Sequence, residues 1–481
     1  MSNFTQEKTV NPFIKASMVY LIATIIGQGM TFLGIIVFTR LMSQNDYGRY
    51  STYYAYVSIF SVLIGANLFY ALNNAYIEKK GEIKQFRKSV LFLSTIIMFL
   101  MLIVVYIVGH VILNKISSFV VIMGALHSYG FFLINYRMYS ANMENDYRCK
   151  QWLLILPYAL QFLIALLFIY IFPNSTFEAR TVGSVLGVGL IACVEYFKMI
   201  NVNGKLIVLE YWKYALGISV PTIVMSISYM LMQQCDKVMI TNFCGAEDTA
   251  IYSVIYYLGY ALIAVDQAVA PVRQAWIFKR LDNKNVINAK KIQRWYLIIV
   301  SSMAMVLLLI GIDIIKIVAP KQYWHYEYIV PFVLSACMMV LYRFYTEIIL
   351  FYKKNIMLSI LVLISAVINI GLNAVLIPRY GAVAACYTTV ISYLILFSMT
   401  LIMAEKLSGK IYSKMYFIIF VSFIILISLI YKVIENRVVE RYSLLILLLV
   451  IIGIYTIKNK KEWKVLLQSE KKDEKRVSDN L

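Results

Sequence analysis

Long apolar runs separated by short polar breaks make up nearly the whole chain, and the runs have the length of membrane-crossing helices. Each holds roughly 18 to 25 residues, enough to cross a hydrocarbon core about 30 Å thick. Strands of a membrane barrel alternate over about ten residues, so this run length points away from a barrel. The breaks place spans near residues 14–39, 52–76, 89–113, 118–141, 152–172, 181–200, 214–241 and 250–272. Six more follow near 295–318, 327–351, 356–377, 381–404, 415–433 and 442–457. The expected fold class is all-α, a polytopic membrane protein of about fourteen transmembrane helices.

Composition agrees with the pattern. Of 481 residues, 61% are hydrophobic and only 15% charged, too apolar a balance for a globule that hides its apolar surface from water. The net charge of +20 does not imply nucleic acid as a partner, because the basic residues are not gathered on a polar domain. They sit in short loops. With the N-terminus inside, alternate loops hold Lys79, Lys80, Lys84, Arg87 and Lys88, then Arg137, Arg148 and Lys150, then Lys198, Lys205 and Lys213. The richest loop follows the eighth span, with Arg273, Lys279, Arg280, Lys284, Lys290, Lys291 and Arg294. With Lys8, Lys15, Lys353, Lys354, Lys406, Lys410, Lys414 and eight more in the tail, 33 of the 45 Lys and Arg fall on one side, and both termini are expected to be cytoplasmic. The polar start, residues 1–13, leads into an apolar stretch without a small-residue cleavage site and is expected to be retained. Six scattered cysteines show no CxxC or Cys/His spacing, so neither a zinc site nor a disulfide framework is indicated.

An internal repeat appears at an offset of 202 residues, where FTRLMSQNDYGRYSTYY from Phe38 lies over ITNFCGAEDTAIYSVIY from Ile240. Thr39 matches Thr241, Asp46 matches Asp248, Tyr50 matches Tyr252, Ser51 matches Ser253 and Tyr54 matches Tyr256. Six spans per half is an even number, so both halves enter the bilayer in the same direction, as in alternating-access transporters with parallel repeats. The expected organisation is a six-helix lobe at 14–200, a linker at 201–213, a pseudo-symmetric second lobe at 214–404, two additional helices at 405–457 and a basic tail at 458–481.

Three segments carry a family resemblance: TRLMSQNDYGRYS at 39–51, DKVMITNFCGAEDTAIYS at 236–253 and NIGLNAVLIPRYGAVAACYTT at 369–389. In the third, Asn369 and Asn373 share a helix face, Pro378 is expected to end the helix, and small residues permit close helix approach. The chain resembles the polysaccharide flippases of the multidrug/oligosaccharidyl-lipid/polysaccharide superfamily. That resemblance implies an oligosaccharide on a polyprenyl diphosphate as cargo, carried outward across a bacterial inner membrane without enzymatic chemistry. Membrane lipids and other polysaccharide assembly proteins are the further partners it implies. The relatives that flip the peptidoglycan precursor carry a cation midway along the first span, whereas this chain reads GQGMTFLG at 27–34.

Charged residues inside spans are the first candidates for a polar path, since each costs roughly 2.5 to 3.5 kcal/mol at a helix centre even on a lenient scale. Arg343 and Glu347 lie one turn apart and are expected to neutralise each other, with Arg343 suited to a diphosphate by its bidentate geometry. Asp236, Lys237, Arg40 and Arg273 join them as substrate-binding candidates, and Tyr256 as a sugar contact within the Tyr252, Tyr256, Tyr260 series. Asp266 and Glu195 are candidates for proton or sodium coupling. Each also has a bland reading as a helix brace, a snorkelling cation or an interfacial ring. His110 and His127 read as packed or interfacial. No nucleotide-binding loop argues for direct ATP use, and no cofactor or metal is expected. Alternative functions are a multidrug or cation exporter of the same superfamily and a membrane-embedded polymerase or glycosyltransferase.

Overall fold

A computed structural model describes residues 27, 29–112, 116–282 and 288–459, so the start of the first expected span and the basic tail lie outside the described residues. Within them the chain forms α1 (Gly29–Leu41), α2 (Gln44–Gly65), α3 (Phe69–Glu78), α4 (Ile83–Tyr106) and α5 (Ser118–Met143). Next come α6 (Tyr147–Ile171), α7 (Thr176–Ile200), α8 (Leu209–Phe243), α9 (Ala246–Asp282) and α10 (Ala289–Val318). The series closes with α11 (Ile329–Phe351), α12 (Asn355–Tyr380), α13 (Val383–Ser408), α14 (Lys414–Ile434) and α15 (Val438–Lys458). Among the described residues no strand occurs, and 13 helices are long and apolar enough to cross a membrane. The all-α polytopic architecture expected from the apolar runs is the one observed. Side chains start several helices as the polar breaks require: Ser43 accepts from the Asp46 amide, Ser117 from Val120 and Asp146 from Cys149.

The helices group into two compact units. One takes residues up to Ser253 together with Val318–Gln322 and Ser359–Ala385; the other takes Val254–Ile317, Tyr323–Leu358 and Cys386 onward. In the first unit, α6 and α7 lie in near-backbone contact. Gly183 and Gly187, one turn apart on α7, leave no room for a Cβ, which would stand 2.5 Å from the Cα atoms of Ala165 and Gln161 respectively. Small residues at this spacing let two helices approach closely where lipid supplies no hydrophobic drive.

The expected span at 52–76 is interrupted. Ala66 and Asn67 take left-handed backbone conformations (φ 44° and 51°), which cost about 1–3 kcal/mol each for residues other than glycine. Side chains from α8 hold the break: Asn67 Nδ2 donates to Thr222 Oγ1 (3.3 Å) and Ser226 Oγ (2.9 Å), and the Ser219 hydroxyl donates to the Asn67 carbonyl (3.3 Å). Irregular backbone at membrane depth persists where protein groups satisfy it. Pro378 does not end its helix. It sits inside α12, which runs on to Tyr380 and stops where Gly381 turns left-handed (φ 73°), because the proline removes only its own amide hydrogen bond.

In the second unit α11 is the central element, buried along most of its length, and α15 is the peripheral one. A buried arginine ties α15 to α10. Arg441 donates from Nη1 to Asp313 Oδ2 (2.7 Å) and to the Leu309 carbonyl (2.5 Å), and from Nη2 to Asp313 Oδ1 (3.2 Å). Elsewhere in this unit, Leu297, Ile298 and Ser301 of α10, Phe420 and Phe423 of α14 and Ile452 of α15 line an apolar cavity of about 220 Å³, to which Arg294 also contributes.

Gly187→Val is expected to force α6 from α7 and to lower stability by about 1–3 kcal/mol, the usual cost of overpacking. Gly189→Ala, two residues along on the same helix with open space around it, is expected to be neutral or slightly stabilising. Thermal unfolding of the detergent-solubilised protein checks both.

Candidate functional site

The strongest concentration of buried charge lies in the second unit, on α9 and α11. Asp266 and Arg273 stand two turns apart on α9 and Arg343 and Glu347 one turn apart on α11, so each helix presents one acid and one base to its neighbour. Arg273 donates from Nη1 to Asp266 Oδ1 (2.8 Å) and from Nε to Glu347 Oε1 (2.9 Å). Arg343 donates from Nη1 to Asp266 Oδ2 (2.9 Å), and the hydroxyl of Tyr296 on α10 donates to Asp266 Oδ1. The Arg343–Glu347 pair expected from their spacing is replaced by pairing across helices, because the α11 side chains at these positions point toward α9. Side-chain exposure is 1% for Asp266, 3% for Arg273 and 7% for Glu347, against 16% for Arg343. Arg343 is therefore the member that reaches toward the cluster's open side. The rings of Tyr296 and Phe344 lie 4.8 Å from the Arg273 guanidinium and exclude water from it.

A second polar group is built in the first unit. Asp236 on α8 is almost wholly buried and accepts from the Tyr252 hydroxyl (2.7 Å) and from Asn373 Nδ2 (2.6 Å), which also donates to Asn369 Oδ1 (3.2 Å). The shared face expected for Asn369 and Asn373 is thus directed at an acid. Lys237, also buried, donates to Gln234 Oε1 (3.2 Å). Arg40 lies at the end of α1 and donates to the Ile36 and Val318 carbonyls. Tyr256 packs edge-on against Phe332 and stacks on Tyr260, apart from the charge cluster.

Glu195 sits in a polar network at one end of the first unit. It accepts from Arg137 Nε (3.3 Å) and Lys198 Nζ (2.7 Å), while Glu144 accepts from Arg87 (2.6 Å), Arg137 (2.9 Å) and Tyr76 (2.8 Å). Burial pushes the Glu144 carboxyl up, but the hydrogen bonds from Tyr76 and Arg137 and the charges of Arg87 and Arg137 outweigh it and hold the carboxyl below the usual carboxylate range.

Three features escaped the reading of the sequence. Tyr296 completes the acid's hydrogen bonding, and an isolated tyrosine in a chain with 38 of them carries no signal. Arg441 and Asp313 form a buried pair 128 residues apart, which spacing cannot reveal. Arg180 is buried with its guanidinium 3.7 Å from the Tyr50 ring centroid and 4.0 Å from that of Phe38. His127 is fully buried, its Nδ1 within 3.0 Å of the Tyr53 hydroxyl, as a packed histidine should be.

Removing Asp266 takes a carboxylate from two guanidiniums at once, so Asp266→Ala is expected to cost about 3–5 kcal/mol, the penalty for breaking a buried ion pair from one side. Loss of folded protein in fluorescence-detected size exclusion checks it. Because the Glu144 carboxyl is held low, its contribution to stability is complete above the unfolded value of about 4.3 and fades as pH falls through the lower folded value. Glu144→Gln should accordingly flatten the acid limb of a melting temperature profile and leave its alkaline limb in shape.

Comparison with known proteins bears on this architecture. Residues 13–278 match the model of a family described as polysaccharide biosynthesis protein. A structure titled as the lipid II flippase MurJ in an inward closed conformation is similar at a TM-score of 0.70 and 16% identity, over 93% of this chain and 99% of that one. A multidrug resistance MATE family transporter of the MOP superfamily, inward-facing, is similar at 0.63 and 12% identity, over 82% and 98%. A MOP superfamily transporter from Pyrococcus furiosus gives 0.53 and 14%, over 82% and 96%. Comparison with curated proteins returned no match. The chain is thus a multi-pass membrane protein of the polysaccharide biosynthesis protein family, with the fold of the multidrug/oligosaccharidyl-lipid/polysaccharide transporters.

Proposed function

We propose that this chain flips an undecaprenyl-diphosphate-linked oligosaccharide repeat unit from the cytoplasmic to the outer leaflet of a bacterial inner membrane. It does so by alternating access between lobes at 14–200 and 214–404, with both termini cytoplasmic, and it serves O-antigen, capsule or exopolysaccharide synthesis. The observation that carries the reading is the α9–α11 cluster, in a family whose description is polysaccharide biosynthesis. Two arginines held in hydrocarbon by two acids form a site where a diphosphate can replace a carboxylate as the anionic partner. Arg343, the most exposed member, is the one placed to exchange Asp266 for a phosphate oxygen.

The rest of the cargo has matching needs. A polyprenyl tail requires an apolar surface, which the cavity along α10, α14 and α15 supplies. Sugar hydroxyls require polar partners at membrane depth, for which the buried carboxylate and carboxamides of Asp236, Asn369 and Asn373 qualify. Outward movement of a diphosphate follows the membrane potential and gains about 2.3 kcal/mol per charge per 100 mV. Inward exchange of a proton or sodium ion supplies the bias where cations leave with the cargo. Membrane lipids flank the path, and other polysaccharide assembly proteins take up the product.

In a strain lacking this chain, lipid-linked repeat units are expected to accumulate on the inner leaflet; their normal appearance outside would remove it from the export step. Arg343→Ala is expected to insert normally yet lower surface glycan by roughly tenfold or more, the loss that accompanies about 1.4 kcal/mol or more of binding. Arg343→Lys should restore part of it by charge alone. Glycosidic bond formation by the purified protein would instead place it among the enzymes.

A further inference from the structure

The α9–α11 cluster offers four carboxylate oxygens, and they are not equivalent. Asp266 Oδ1 accepts from Arg273 and Tyr296, Asp266 Oδ2 from Arg343, and Glu347 Oε1 from Arg273. Glu347 Oε2 is buried and accepts no hydrogen bond. Burying a carboxylate oxygen without a donor is costly, and the cost falls when that oxygen carries a proton and the group is neutral. Asp266 has three donors, two of them guanidiniums, and neither of its oxygens is left without one. Glu347 has a guanidinium on one oxygen and nothing on the other.

We infer that Glu347 is the proton-binding group of this cluster, and that its proton switches the cluster from closed to anion-accepting. The inference rests on the reading of the cluster as a diphosphate site. With Glu347 ionised, two acids balance two arginines and no charge is left over for a cargo. A proton from water bonded to Oε2 neutralises Glu347 and leaves one excess positive charge on Arg273 and Arg343. That charge is buried and needs an anion, so proton uptake and diphosphate binding favour each other, and by linkage each strengthens the other equally. Loss of the proton restores the Glu347–Arg273 pair and expels the anion. Neighbouring groups are consistent with this assignment. From α9 the carboxyl faces Arg273 and Asp266, from its own helix Arg343, and from the segment before α14 the hydroxyl of Tyr412. Tyr296 enters through Asp266, and on the far side Tyr345 faces Glu405 of α13, whose own partner is Lys414. Among the described residues the cations facing Glu347 are thus the two arginines of the cluster, and the excess charge created by its protonation falls on them.

The test uses the full chain in lipid nanodiscs. Infrared difference spectra between acidic and neutral pH are expected to show a protonated-carboxyl band that Glu347→Gln abolishes and Asp266→Asn retains. A band that survives in Glu347→Gln puts the proton elsewhere and overturns the inference. Titration calorimetry with farnesyl diphosphate in two buffers of different ionisation enthalpy then counts protons taken up on binding. Wild type is expected to take up close to one proton more than Glu347→Gln, which binds without coupling. Equal uptake by the two overturns the switch. If the band behaves as expected but farnesyl diphosphate does not bind wild type, the proton site stands and the diphosphate reading of the cluster falls.

Discussion

Charge in hydrocarbon has to be answered by charge, and in this chain the answer lies between neighbouring helices. Asp266, Arg273, Arg343 and Glu347 would each cost several kcal/mol alone at membrane depth, and together they are tolerated only as a network. Their pairing ties α9 to α11, the most deeply packed helix of its unit, and fixes which face of each turns inward. The same rule governs the periphery. Arg441 on α15 is buried because Asp313 and a carbonyl of α10 receive it.

Such networks are poor devices for stability and good devices for change. A buried ion pair gives back little more than its desolvation costs, yet losing one partner is severe, so the paired and unpaired states are sharply separated. A cargo that brings its own negative charge can take the place of an internal acid at little net cost. In that sense the cluster resembles a lock already filled with a substitute key. The break at Ala66 and Asn67 is a second place where regular structure is given up, and there α8 hydroxyl groups bond the side chain and the carbonyl of Asn67.

Much of the fold was legible because a span announces itself by length alone. An apolar run of helical-span size has few alternatives, and the spans from residue 89 to 457 correspond to helices found here. What required partners was not legible. Nothing near Asn67 in the sequence says that Ser219, Thr222 and Ser226 will stabilise a broken helix, since they arrive from α8. Arg343 and Glu347 at one-turn spacing suggested a local pair, but their partners are 77 and 74 residues away in the chain. Pro378 looked like a terminator because the sequence shows its missing amide and not the left-handed Gly381 that does the stopping. Arg180 was hidden for the same reason, its aromatic neighbours lying on α1 and α2. Among the candidate residues of the α9–α11 cluster, Asp266, Arg343 and Glu347 were visible as charges inside apolar runs, whereas Arg273, expected in the loop after the eighth span, lies buried inside α9, which runs on to Asp282; their mutual arrangement was not visible.

Translocation in a defined bilayer is the most direct measurement. Full-length protein in proteoliposomes, loaded with a fluorescent polyprenyl-diphosphate oligosaccharide in one leaflet, can be followed by quenching from a membrane-impermeant reagent. Wild type should exchange the lipid between leaflets, and neutralising Arg273 and Arg343 together with their acids, so that no charge is stranded, should abolish exchange while leaving the helices assembled. Exchange at the wild-type rate in that uncharged protein would contradict a cationic route for the diphosphate.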